Sequence, residues 1–213
     1  MLKTLMPSLS ELITADYSTI KTKESEQLIK AFLTGLTSVE NPELKQISGI
    51  PGSGKSTFCA AHLPNNFLLL SFDKIMTSLK GYQRLLKKEG AVVAYSRYEM
   101  PARIIGYELL RRAIRKKLNI MFEHSGTNHA HLELFKHLPK KGYKTSVNFI
   151  VCDTSLAIKR VKRRAEEQHR YVPERLIMER ASGFKNYISA YQKIASTVAY
   201  FDGANNFQQL KKI

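Results

Sequence analysis

Apolar positions along this chain fall into two kinds of run, and their alternation already predicts an architecture. Residues 22–37, "TKESEQLIKAFLTGLT", place Leu28, Ile29, Phe32, Leu33 and Leu36 at helical spacing, which predicts an N-terminal helix ahead of the core. Five short, dense runs read as strands: "ELKQIS" ending at Ser48, "FLLLSF" at Phe72, "NIMFE" at Glu123, "TSVNFIVC" at Cys152 and "VAYF" at Phe201. Between them lie helical patterns, notably "AYSRYEMPARIIGYELLRRAIRKK", "HLELFKHLPKK" and "TSLAIKRVKRRAEEQ". Strands that alternate with helices need right-handed crossovers, so the expected fold is a three-layer α/β/α arrangement around a mainly parallel five-stranded sheet. Residues 1–43 are expected to form a helical extension and 44–213 the main domain.

Sheets of this kind bind ligands beyond the carboxyl ends of their strands. Four of the five predicted ends carry a carboxylate at or beside the edge: Asp73, Glu123, Asp153 and Asp202. The fifth runs into "GIPGSGKSTF", where Gly49 to Ser56 fits GxxxxGK[ST] between a strand and a helix, the context that gives the motif meaning. Gly49, Gly52 and Gly54, with Pro51 and Ser53 between them, would let successive N–H groups surround phosphate oxygens, and the helix starting near Lys55 adds its positive end. Lys55 would neutralise the outer phosphates of ATP, Ser56 would give a hydroxyl to Mg²⁺, and Thr57 would reach the α-phosphate. The fold expected is therefore that of a P-loop NTPase.

Composition narrows the class. The 213 residues are 43% hydrophobic and 24% charged, with no stretch approaching the roughly 20 apolar residues of a membrane-spanning helix. Pro7, Ser8, Ser10 and Glu11 interrupt the N-terminus, so no Sec-type signal is expected, and Cys59 with Cys152 make no disulfide or metal framework. A reducing, cytoplasmic setting is expected, and an exported effector is also compatible with it. The formal charge of +16 favours polyanionic partners, nucleotides and nucleic acid among them. The cluster "RRAIRKK" lacks interleaved aromatic residues and is expected to be a solvated helix face.

No NKxD-like segment selects guanine, which argues against a switch GTPase. A basic stretch, "IKRVKRRAEEQHRYVPERLIMER", precedes the fifth strand and suits a phosphotransferase lid whose arginines close over phosphates. Arg160 and Arg164 are four apart and share a helix face, Arg163 competes with Arg160, Arg170 follows in a loop, and Pro173 opens the next helix.

The ordered set "GIPGSGKST", "SFDKIM", "NIMFEHSGT", "KKGYKTSVNFIVCD", "AIKRVKRRAEEQHRYVP" and "YFDGANN", spanning about residues 44–206, resembles the zeta-toxin family of P-loop kinases. A phage-type polynucleotide 5′-hydroxyl kinase is similar in the same places. The zeta-toxin resemblance implies transfer from Mg²⁺-ATP to a hydroxyl, in that family the 3′-hydroxyl of UDP-N-acetylglucosamine, with an antitoxin protein as partner. It implies Asp73 as general base, Glu123 near Mg²⁺ or substrate, Glu99 (or Glu108) as a substrate contact, and Lys55, Arg160, Arg164 and Arg170 on the phosphates. An N-cap role for Asp73 on the helix "KIMTSLK" is the weaker alternative and is compatible with catalysis. Two departures bear on the acceptor. Thr127 stands where the zeta pattern commonly has an arginine, leaving no fork of donors for a diphosphate. Met76 stands where the polynucleotide kinases carry one. His124, His129, His131 and His137 lie close in sequence without the cysteines or carboxylates of a zinc site. Tyr200 to Asp202 are expected in the core and the adenine-side wall. A nucleotide-gated binding protein for nucleic acid or protein is the alternative outside the kinases.

Overall fold

The computed structural model describes residues 22–211 apart from His169. Five parallel strands, β1 (Glu43–Ser48), β2 (Phe67–Ser71), β3 (Asn119–Glu123), β4 (Lys144–Val151) and β5 (Thr197–Asp202), lie in the order β2-β3-β1-β4-β5. A sixth, β6 (Gln209–Leu210), pairs antiparallel with β5. It escapes the hydrophobic pattern because two residues cannot show an alternation.

The helices are α1 (Thr22–Leu33), α2 (Lys55–His62), α3 (Phe72–Ser78), α4 (Lys80–Glu89), α5 (Ala91–Arg115), α6 (His129–His137), α7 (Thr154–Gln168) and α8 (Glu174–Gln192). Side chains alternate across the strands with period two. Leu44, Leu70, Phe122 and Phe149 turn to the face packed by α1, α3–α6 and α8. Ile47, Leu69, Met121 and Ile150 turn to the other, where Phe58 and Cys59 of α2 meet them. A smaller cluster of Ile50, Ala157, Val161 and Ile177 joins the loop after β1 to α7 and α8.

The sequence pattern misses some boundaries for identifiable reasons. Phe72 opens α3 instead of closing β2, with its ring against Tyr107, Phe122 and His124. Ser71 occupies the N-cap position, so Asp73 lies in the first turn of α3 and is not its cap. The segment "RRAIRKK" is only partly a solvated face: Arg111 is buried against Glu108, and Arg112 joins Glu108 to Glu26 of α1. Ile29 of α1 is fully buried in the main core. Among the described residues no helix is long and apolar enough to cross a membrane.

Register positions the site. Ser71 pairs with Glu123, and Glu123 pairs with Ile47, so the carboxyl ends of β2, β3 and β1 stand level. Strand order reverses at β1, whose neighbours β3 and β4 come later in the chain; its carboxyl end is where such sheets open a crevice.

Candidate active site

At that end the chain leaves β1 and turns through Gly49–Gly54 into α2. Gly52 and Gly54 adopt φ of 87° and 103°, left-handed values that glycine tolerates without strain. Close approach also requires Gly52, because a Cβ there would lie 2.3 Å from the Ala157 carbonyl of α7. Lys55 Nζ donates to the Ile50 carbonyl at 2.9 Å, which folds the amine back over the loop. Burial lowers its proton affinity, against the pull of Glu123 and Asp73. Ser56 Oγ donates to Glu123 Oε1 at 2.5 Å, bringing together the two side chains expected at a metal.

These residues line one cleft of about 520 Å³. Its walls carry seven lysine and arginine side chains against four carboxylates, so the cleft attracts anions. Around the glycine-rich loop, Lys55, Ser56 and Thr57 face Arg160, Arg163 and Arg164 of α7. Arg164 Nε is buried and, among the described residues, has no hydrogen-bond partner. Burial, and then the neighbouring Arg170, lower the pKa of Arg164. Such an orphaned donor beside glycine amides and a helix N-terminus suits a polyphosphate. The Ser56 hydroxyl and Glu123 carboxylate are hard oxygen donors of the kind Mg²⁺ takes.

Arg160 Nη1 donates to the Gly203 carbonyl at 2.8 Å, which sets Arg160 against the turn after β5. Arg163 is exposed beside Glu167 at 3.7 Å. Arg170 Nη2 donates to Asp73 Oδ2 at 2.7 Å, bringing the loop after α7 onto the carboxylate of α3. Beyond Asp73 the cleft continues between Tyr95, Glu99 and Arg103 of α5, His124, and Arg180 of α8. Glu99 pairs with Arg103 at 2.6 Å, whereas Glu108 belongs to the α1–α5 ion cluster, so the register of α5 puts Glu99 in the cleft.

Most residues singled out by pattern therefore meet here, with three exceptions. The Gly49 amide donates to the Ser125 carbonyl at 3.3 Å and the Ser53 amide to Ile50 at 3.1 Å, so these two shape the loop and do not line the cleft. Thr127 is buried beneath Arg180, which donates to its carbonyl at 2.9 Å and its hydroxyl at 3.3 Å; it does not line the cleft either. The wall expected from Tyr200–Asp202 is displaced by one turn. Tyr200 and Phe201 pack in the two cores, and Gly203, Ala204, Asn206 and Phe207 form the wall instead.

Arg103, Arg180 and Tyr95 were not foreseen, since α5 and α8 carry no motif of their own. His124 and His131 make no metal site; they meet each other at 3.0 Å through their Nδ1 atoms, and Tyr107 OH meets His131 Nε2 at 3.1 Å. The Gly126 amide also donates to His124 Nδ1, at 3.1 Å. Nδ1 of His124 therefore accepts and that of His131 donates, a tautomer assignment made from the network. Burial holds both imidazoles neutral, with His131 pushed down to about 3.

The sequence profile of the family described as Zeta toxin matches residues 29–209. Comparison with curated proteins gives no significant match. Among solved structures, the PezAT chromosomal toxin-antitoxin system of Streptococcus pneumoniae is similar, with a TM-score of 0.69 at 15% identity, covering 90% of this chain and 80% of that one. The AvrRxo1-ORF1:AvrRxo1-ORF2 complex with sulphate ions gives 0.66 at 14% identity, over 88% of this chain and 65% of that one. The Pnkp1/Rnl/Hen1 RNA repair complex gives 0.52 at 17% identity, over 81% and 49%. At these identities the structures share the fold.

Proposed function

The chain belongs to the zeta toxin family, and from that premise we propose that it is a Mg²⁺-ATP-dependent kinase that phosphorylates a hydroxyl of a small-molecule acceptor. What supports this most is the placing of the Asp73 carboxylate in the same cleft as Lys55 and the half-buried Arg164, on the edge where β1, β2 and β3 end level.

In this reading Lys55 and the glycine-rich loop hold the β- and γ-phosphates, and Arg164 and Arg170 offset the charge that builds as the γ-phosphoryl group moves. Asp73 orients the acceptor hydroxyl. As the bond between the γ-phosphorus and the β–γ bridging oxygen breaks and the acceptor oxygen bonds to that phosphorus, the hydroxyl proton passes to Asp73 and ADP leaves. Arg170 holds the Asp73 carboxylate on the acceptor side of the phosphates. Ser56 and Glu123 would hold Mg²⁺, which would supply charge neutralisation to the phosphates when bound. Arg160 and the turn at Gly203–Phe207 would flank the adenine.

UDP-N-acetylglucosamine is the first acceptor to try. An antitoxin-type protein that covers the cleft is the partner this reading suggests, PezAT itself being a toxin-antitoxin system. Incubation with γ-labelled ATP, Mg²⁺ and either UDP-N-acetylglucosamine or a 5′-hydroxyl oligonucleotide tests the proposal, followed by mass spectrometry of a small-metabolite extract. A labelled small molecule is expected. Label on the oligonucleotide alone would replace this reading by polynucleotide kinase chemistry. Salt-sensitive oligonucleotide binding with no labelled product would replace it by a binding function.

A further inference from the structure

The end of the sheet away from the cleft carries cations that phosphoryl transfer does not use. Helix α5 delivers the chain to the start of β3, the turn at Pro139–Lys141 delivers it to the start of β4, and residues 39–42 lead into β1. Hydrogen bonds tie the three approaches together. The Val39 amide donates to the Lys117 carbonyl at 3.0 Å, the Lys144 amide to the Pro42 carbonyl at 2.9 Å, and Tyr143 OH to the Leu118 carbonyl at 2.9 Å. Since Glu43 pairs with Lys144 and Leu44 with Ile120, the strands also begin nearly level, and the approaches form one edge.

Arg115, Lys116, Lys117, Lys140, Lys141 and Lys144 all stand exposed on that edge. Among the described residues no carboxylate pairs with any of them. Within residues 39–45, 115–119 and 138–145 the carboxylates are Glu40 and Glu43, and Glu43 is engaged by Ser146 Oγ at 2.8 Å and Lys45 at 3.9 Å. The edge therefore has a strong positive field. Complementing the end of α5 asks for less, because a cation or two satisfies a helix dipole. Lys117 moreover holds φ of 50° just past the C-cap of α5, a left-handed position that glycine takes without strain. The turn itself gives no reason for a lysine there.

The chemistry of the edge selects among polyanions. Five of the six cations are lysines, point charges without the planar fork that grips individual phosphates. Tyr143 is the one aromatic residue in these three segments; it is buried, and its hydroxyl is turned inward. Bases therefore find nothing to stack on. A level row of unpaired point charges matches a flat, diffuse layer of negative charge. The field of such a layer reaches only about 8 Å at physiological salt, so the charges must be gathered at one end to feel it.

We propose that this edge docks the protein onto the surface of an anionic lipid bilayer. Strands of five to eight residues separate it from the cleft by roughly 15–25 Å. The cleft then opens away from the lipid, into water, and stays free for nucleotide. Attachment is peripheral, with no helix of the described residues crossing the membrane.

Co-sedimentation of the full chain with vesicles tests this. Wild type should sediment with vesicles of equal parts phosphatidylglycerol and phosphatidylcholine, stay in solution with phosphatidylcholine alone, and be released as salt rises from about 0.1 to about 0.5 M. Lys140→Gln/Lys141→Gln/Lys144→Gln should weaken the partition about a hundred-fold, at roughly five-fold per cation, and Arg115→Gln/Lys116→Gln about twenty-fold, both with unchanged thermal melting. Arg84→Gln/Lys87→Gln/Lys88→Gln removes three charges from α4, which precedes the start of α5 at the cleft end, and should weaken it little. Absence of binding to the anionic vesicles, equal binding to the neutral ones, or equal loss in the two triple variants overturns the proposal. So does retention of a duplex oligonucleotide in place of the vesicles, lost with the same three lysines, which would make the edge a nucleic-acid surface.

Discussion

Arg170 Nη2 lies 2.7 Å from Asp73 Oδ2, joining the loop after α7 to the first turn of α3 across 97 positions of sequence. The contact is half-exposed, so its worth to stability is small, below about 1 kcal/mol. Its consequence is positional. Asp73→Asn keeps the shape and a hydrogen-bond acceptor for Arg170 but removes the proton sink. Transfer should fall by about 10²- to 10⁴-fold while ATP affinity changes little. Single-turnover transfer from γ-labelled ATP, set beside nucleotide titration, checks this; wild-type transfer by the variant would remove Asp73 from the role of base.

The Ser56–Glu123 pair makes a separate prediction. Glu123 is nearly buried, and its carboxylate faces the hydroxyl at the start of α2. Ser56→Ala should raise the Mg²⁺ needed for half-maximal activity by at least about ten-fold, the loss of one oxygen donor to the ion. Removal of Mg²⁺ with EDTA should abolish transfer and its return restore it. A Mg²⁺ dependence unchanged in Ser56→Ala would place the metal elsewhere.

Gly52 and Gly90 share a positive φ and differ in surroundings, which allows their substitutions to be compared. Both have φ near +86° (87° and 85°), but a Cβ at Gly52 meets Ala157 of α7 at 2.3 Å, and one at Gly90 meets nothing within 4 Å. Gly90→Ala should cost only the backbone penalty of its positive φ at ψ 175°, about 1–3 kcal/mol. Gly52→Ala should cost more and should also lose nucleotide binding, because α7 must move and it carries Arg160 and Arg164. Urea denaturation of both variants and AMP-PNP titration measure the difference.

How far the sequence discloses this site depends on whether a residue's neighbours lie along the chain or across it. The five strands and the loop at Gly49–Ser56 are legible because period-two alternation and glycine spacing are local properties. Asp73 and Glu123 follow from them, since strand ends of a parallel sheet share one edge. Arg180 could not be found this way: it reaches Thr127 through the packing of α8, and no spacing rule links positions 127 and 180. The cleft wall at Gly203–Phe207 was read one turn early because "YFD" has the apolar look of a wall, whereas its rings are taken by the two cores.

The buried histidines give the stability a pH dependence with a definite sign. His131 is held near 3 and His124 is lowered as well, both chiefly by burial, against about 6.5 in an unfolded chain. Below 6.5 the unfolded state takes up protons that the folded state refuses, so stability present at pH 7.5 is lost as pH falls toward 3. The slope approaches about 1.4 kcal/mol per pH unit for each histidine. Thermal melts at pH 7.5, 6.5 and 5.5 should show a progressive fall, and His131→Gln should flatten it. An equal slope in that variant would assign the dependence to other groups.

The last prediction concerns what holds α1 to the rest. Among the interactions that reach it, two can be set against each other: the Glu26–Arg112 pair, where Arg112 bonds both carboxylate oxygens of Glu26 at 2.5 and 2.7 Å, and the burial of Ile29. The first looks stronger in a contact diagram, and the Arg112 bonds pull the Glu26 pKa down. Yet the Glu26 and Arg112 side chains are 36% and 27% exposed, so water and salt screen the pair. Its removal by Glu26→Gln should cost no more than about 1 kcal/mol, and less at 0.5 M salt. Ile29 has no exposed surface, and Ile29→Ala leaves a cavity whose cost is about 2–5 kcal/mol whatever the ionic strength. Urea unfolding of the two variants at low and high salt decides between them. If Glu26→Gln proved the costlier change, the helix would be held electrostatically, and the main core would have to be drawn without it.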